Sequence, residues 1–252
     1  MDSAPKLGIF EGVPAGSGRN PSDAIRDILR FAELVDALGY HRYRLAEHPG
    51  AGATPAHARP SELRLVRPTV TDDCTLSDRW LLGADTESAS VAASLGLPFS
   101  YAHFLAPGDA ARVLRTYAAA FVPSARQPGP RTSLVVSVLC HERASVARRQ
   151  FDRDAVYRAR LALGARPVYP DLDDVAREQF SDQELALVED ELRRTIVGAP
   201  IRLRERLLDL AAEHGVDELV LCSASLNPEV RERTFTLIAQ AFQLTGAAGQ
   251  AA

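Results

Sequence analysis

Residues 7–46 carry the pattern that most limits the fold. LGIFEGV (7–13) is an apolar run of strand length, closed by the loop PAGSGRN. Asn20, Pro21 and Asp23 then supply a helix N-cap, a first-turn proline and an acidic first-turn residue. Ile25, Ile28, Leu29, Ala32, Val35 and Leu38 recur at helical spacing until Gly39. YHRYRLA (40–46) follows as a second strand and delivers Glu47 and His48 at its end. Strand, helix, strand in this span is one βαβ unit, which calls for a parallel sheet covered by helices.

The rhythm stops over 49–79, a proline-rich stretch with little periodicity, and then resumes. RWLLGA (79–84), LPFSYAHF (97–104), TSLVVSVLC (132–140) and DELVLCS (217–223) read as strands. Helices are expected over 86–95, 108–121, 200–213 and 228–243, with a mostly helical, charged stretch over 143–195. Within it, the run from Asp171 to Arg194 reads as a solvated helical face or an excursion covering the barrel. No GxGxxG follows the first strand, and Lys6 is the sole lysine, so no phosphate loop with its lysine exists. That weighs against nucleotide-binding open sheets and favours a (β/α) barrel, where chemistry collects at the C-terminal ends of the strands. Glu11, Glu47, His48, Asp85, Ser88, Tyr101 and His103 all fall there.

The chain has 252 residues, 46% hydrophobic and 25% charged, with a formal net charge of −4, which fits one soluble domain over 1–245. An acidic balance leaves no electrostatic footprint for nucleic acid or an anionic membrane. Cys74, Cys140 and Cys222 form no CxxC pair, so three separate thiols in the cytoplasm are expected, Cys140 and Cys222 in the core. His41 and His214 lie beside glycine turns and read as surface residues. No histidine or cysteine spacing supports a metal site. The small, polar tail over 246–252 reads as disordered.

Three blocks together resemble the luciferase-like monooxygenases. ALGYHRYRLAEHP is similar to the second-strand signature of that family, with its Gly-Tyr, strand and Glu-His. RWLLGADTESASVAASLGLPFSYAHFLAP resembles the fifth and sixth strands, including a phosphate-binding turn. IVGAPIRLRERLLDLAAEHGVDELVLCS resembles the segment that ends in the eighth strand. The resemblance implies a TIM-type (β/α)8 barrel that uses reduced FMN, or less fittingly the deazaflavin F420, and O2 to oxygenate a hydrophobic small molecule. By match, His48 takes the catalytic position, and Ser88 helps hold the flavin phosphate. Glu47 and Asp85 are further candidate cofactor-binding residues. Glu11, Tyr101 and His103 are candidate lining or acid/base residues, and a flavin reductase is an implied partner.

The chain departs from the family pattern in three places. Only 49–78 stands where the third and fourth strand–helix units belong, too short for two units of a barrel that needs about 250 residues for eight. Asp85 replaces a serine at the phosphate turn, and Pro49 replaces the second histidine of Glu-His-His. The expectation is therefore a shortened, incomplete TIM-type barrel of about six main parallel strands, with 49–79 as a bridge. Exposed sheet edges then favour a homodimer. A flavin-independent enzyme (cyclase, dehydratase or isomerase) and a non-catalytic partner subunit are the alternative functions.

Overall fold

The computed structural model describes residues 4–12, 21–46, 80–125, 127–172 and 180–245. Among them one sheet of parallel strands is built from β1 (Lys6–Gly12), β2 (Arg42–Ala46), β3 (Leu81–Gly83), β4 (Phe99–Ala102), β5 (Thr132–Cys140), β6 (Thr195–Gly198) and β7 (Glu218–Ser223). Its helices are α1 (Pro21–Ala37), α2 (Thr86–Ser94), α3 (Ala110–Ala120) and α4 (Ala144–Ala162). α5 (Asp182–Arg194), α6 (Pro200–His214) and α7 (Pro228–Phe242) complete them. The six expected strands are all present. β6 is an addition: its TIVG follows a charged helix directly and is too short to announce itself by alternation.

The strand order is β2-β1-β7-β5-β4-β3, with β6 also paired to β5. β5 is long enough to share one edge, giving Thr132–Val135 to β4 and Ser137–Cys140 to β6. If β3 and β4 hold the fifth and sixth places of an eight-stranded barrel, and β7 the eighth, this order reads 2-1-8-7-6-5. The third and fourth places fall between β2 and β3. The bridging segment expected there, like the tail over 246–252, lies outside the described residues.

A side-chain contact proves the curl of the sheet. Arg44 on β2 donates to Ser100 Oγ on β4 at 2.6 Å and to Ser133 Oγ on β5 at 3.2 Å. In a flat sheet β2 and β4, four strand spacings apart, would be separated by about 19 Å. The sheet is a half-barrel, and Arg44, Ser100 and Ser133 face its concave side. Alternation then assigns the rest. Gly8 lies on the concave side, where an added Cβ would sit 3.4 Å from Glu218 Oε1; Leu7, Ile9 and Glu11 face the convex side.

The convex side holds the main core. Leu7, Ile9, Phe99, Leu134, Val136, Leu219 and Leu221 are buried there against Phe31 of α1, Tyr117 of α3, Leu207 of α6 and Phe235 of α7. Each side chain of this size contributes about 1.5–3 kcal/mol on full burial. The concave side carries a second, smaller core. Leu139 on β5 and Val197 on β6 pack against Phe151, Ala155 and Val156 of α4 and Val188 of α5. The charged stretch is thus an excursion that covers the C-terminal half of the concave face. Arg160 of α4 donates to the Glu184 carboxylate of α5 at 2.8 Å. That bond, with the Ser181 amide and hydroxyl, holds Glu184 down at about 2.

Candidate active site

The concave face has three levels. At the N-terminal level, Glu218 opens β7 and is 5% exposed. It pairs with Arg44 at 2.7 Å and Arg42 at 3.3 Å. An unpaired buried carboxylate would be costly, and the two guanidiniums offset that cost. Burial lowers Arg44 to about 10, with Glu218 opposing, so Arg44 stays a cation at neutral pH.

The middle level is apolar. The Phe10 and Phe104 rings are 6.4 Å apart. β7 and β5 separate β1 from β4 in the sheet, so this contact crosses the concave face. Both rings are half-buried. Beside them, Ser137 and Cys222 are register partners on the same face. The Cys222 thiol donates to the Val136 carbonyl at 3.5 Å, and burial pushes it up to about 12, so it stays protonated. Apolar walls with a few polar groups suit a hydrophobic small molecule.

The upper level hangs from α4. Asp154 is fully buried and accepts from Ser225 Oγ at 2.7 Å and from the Tyr169 hydroxyl. Arg153 stacks on the Tyr169 ring, its guanidinium carbon 4.8 Å from the centroid. Ser225 follows β7, so Asp154 ties the covering helix to the C-terminal end of a strand. Sequence reasoning passed over this cluster. Asp154 sits in a helix full of charges, and no spacing separates a buried carboxylate from solvated ones.

The structure sorts the expected site residues. Glu11 turns to the convex side and pairs with Arg231 of α7 at 2.7 Å. Burial raises its carboxyl, and Arg231 opposes the rise. Tyr101 and His103 do share a side, but it is the helix side, because Ser100 between them and the β4 start points to Arg44. Tyr101 donates to the Ala106 carbonyl at 2.5 Å. His103 is 7% exposed and meets His214 edge-on at 6.4 Å. Burial first, then His214 and Arg206, lower His103 to about 4. The side chain of His214, expected at the surface, is 5% exposed, because α6 presses that face onto the sheet. Glu47 and His48 lie outside the described residues.

Asp85 and Ser88 are brought together at the start of α2, past the C-terminal end of β3. A helix start here is a ready anion site, but the Ser88 amide is already taken. Asp85 is the N-cap, and its carboxylate accepts from the Ser88 amide at 2.7 Å. The Ser88 hydroxyl turns back to the Asp85 carbonyl at 2.9 Å. Gly83 lets α2 sit this close, since a Cβ there would lie 2.0 Å from Ser88 Oγ. A fixed carboxylate at the turn both occupies the amide and repels a phosphate. These residues do not fit a flavin phosphate.

No family model matches the chain. The luciferase-like monooxygenase of Escherichia coli (strain K12) is 27% identical over 158 residues, 63% of this chain and 47% of that protein. The solved structure of apo-MsnO8 matches with a TM-score of 0.75 at 27% identity, covering 96% of this chain and 99% of its own. The chain belongs to the luciferase-like monooxygenase family. Flavoprotein 390 shares the fold of this luciferase-like chain, with a TM-score of 0.57 at 16% identity over 94% of this chain and 93% of its own. The chain spans about half the length of the curated relatives it matches. Among the described residues no helix is long and apolar enough to cross a membrane.

Proposed function

We propose that this luciferase-like chain is an oxidoreductase that oxygenates a hydrophobic small molecule on its concave face, with reduced flavin visiting the site and not residing in it. The Phe10–Phe104 contact carries the reading, because it places half-buried aromatic surface on the side of the sheet that the covering helices enclose. The Asp85 cap supports a visiting flavin: it removes the phosphate grip that a resident FMN would use. A separate flavin reductase is then the source of reduced flavin, FMN being favoured over F420 by the resemblance. His48 is the proposed catalytic residue, and the assembly is a homodimer.

The same Asp85 cap favours a second reading, in which a barrel without flavin catalyses a cyclisation, dehydration or isomerisation, or acts as a partner subunit. Anaerobic titration with reduced FMN and reduced riboflavin separates them. Similar affinities for the two support a visiting flavin. Much tighter FMN would mean a resident cofactor and overturn the reading, whereas binding of neither leaves the second. His48→Ala adds a check on the residue itself, since unchanged turnover would remove His48 from the chemistry.

A further inference from the structure

We propose that the N-terminal mouth of the half-barrel, opposite the candidate active site, binds a small oxyanion: a phosphate or a carboxylate-bearing metabolite. The mouth is a cleft of about 300 Å³ whose lining includes Lys6, His41, Trp80, Arg131, Asp217 and Glu218. Around the Trp80 ring stand three guanidiniums, their carbons 4.1 Å (Arg44), 5.3 Å (Arg131) and 5.6 Å (Arg42) from its centroid. With Lys6 there are four cations against the carboxylates of Asp217 and Glu218, and Glu218 is already shared between Arg42 and Arg44.

Positive charge and N–H donors are both in surplus. Among the described residues no carboxylate contacts Arg131, and the buried Nε1 of Trp80 and Nε of Arg44 have no acceptor. The cations depress one another and their neighbours. Arg42 and Arg131 lower Arg44 after burial has done so, and Lys6 and Arg42 act likewise on His41. An oxyanion is the ligand class that offsets such a field and also accepts from guanidinium donors. The cleft lies at the small end of the range for ligand sites, which selects small anions over nucleotides. The N-terminal end of a barrel is its stability face, not the face of turnover. The bound anion would therefore tie the edge strand β2 to Trp80, beside the edge strand β3, and stabilise the fold by linkage.

Trp80 is the only tryptophan, so its emission reports the site directly. Inorganic phosphate and citrate, titrated in separate arms at constant ionic strength, are the probes. The expected result is a saturable change in emission with a parallel rise in Tm for at least one of them. Saturation by phosphate alone assigns a phosphate-type ligand, and saturation by citrate alone a carboxylate. Arg131→Gln, at an exposed position, is expected to weaken binding by about tenfold while leaving the unliganded Tm near that of the parent. Lys6→Gln serves as a second variant with the same expectation. A flat response to both anions, a response equalled by chloride, or undiminished binding in both variants would overturn the proposal.

Discussion

The guanidinium carbon of Arg44 lies 4.1 Å from the centre of the Trp80 ring, and this contact joins the two edges of the half-barrel. Arg44 belongs to β2 at one end of the strand order, and Trp80 immediately precedes β3 at the other. A barrel with two places missing needs something to hold its flanks together. Here a cation–π contact and the Arg44 bonds to Ser100 and Ser133 do so. Trp80→Ala is expected to lower the unfolding free energy by about 3 kcal/mol, and Trp80→Phe by much less. Urea denaturation followed by circular dichroism measures both.

Glu218 is the counter-charge of this arrangement. Glu218→Gln keeps the shape but leaves Arg44 and Arg42 without their carboxylate, which should cost about 3 kcal/mol. A cost near zero in the same denaturation experiment would mean that solvent already neutralises the arginines.

Asp85→Ser should convert the turn at α2 into an anion site. Serine is as good an N-cap as aspartate, so stability is expected to hold within about 1 kcal/mol. The repelling charge is gone, and FMN should then bind about tenfold tighter relative to riboflavin than it does to the parent. Calorimetric titration gives the ratio. An unchanged ratio would show that the missing grip has another cause.

His103 makes a pH prediction. Its folded value, about 4, is below the ordinary 6.5. Between those values the unfolded chain takes up a proton that the folded chain refuses. Stability is therefore fully present above pH 6.5 and falls as pH drops toward 4, by on the order of 3 kcal/mol at most. His103→Leu should flatten the dependence of Tm on pH over that window. His103→Asn is the polar control.

The roof is testable through Asp154. Asp154→Ala strands the hydroxyls of Ser225 and Tyr169 and should cost about 2–4 kcal/mol. Limited proteolysis would show whether the loss is local, as early cleavage between α4 and α5, or spread over the whole domain.

Several features were legible before any coordinates. The βα rhythm, the parallel sheet and the family resemblance all follow from short local patterns, such as the apolar run LGIFEG and the spaced side chains of α1. Asp85 was legible as an obstacle to phosphate, because its charge at that turn is a local fact. Other readings needed the third dimension. Glu11, Tyr101 and His103 stand at strand ends, as expected, yet a strand end presents two faces. Which face turns inward depends on the register and on where the helices pack. Arg44 reaching Ser100 settled that choice for the whole sheet. His214 looked solvated for the same reason, since a glycine turn marks a helix end but not the neighbour it lies against.

The sequence by itself determined the order of the six main strands and their helices, the resemblance and the places where that resemblance breaks, because each depends on residues close together in the chain. Only the tertiary structure decided that Arg42, Arg44 and Arg131 gather around Trp80 at the N-terminal mouth, and that Asp154 anchors a roof over the concave face. Those contacts join residues distant in sequence. No local pattern encodes them, since their energy exists only once the curled sheet brings the partners within reach.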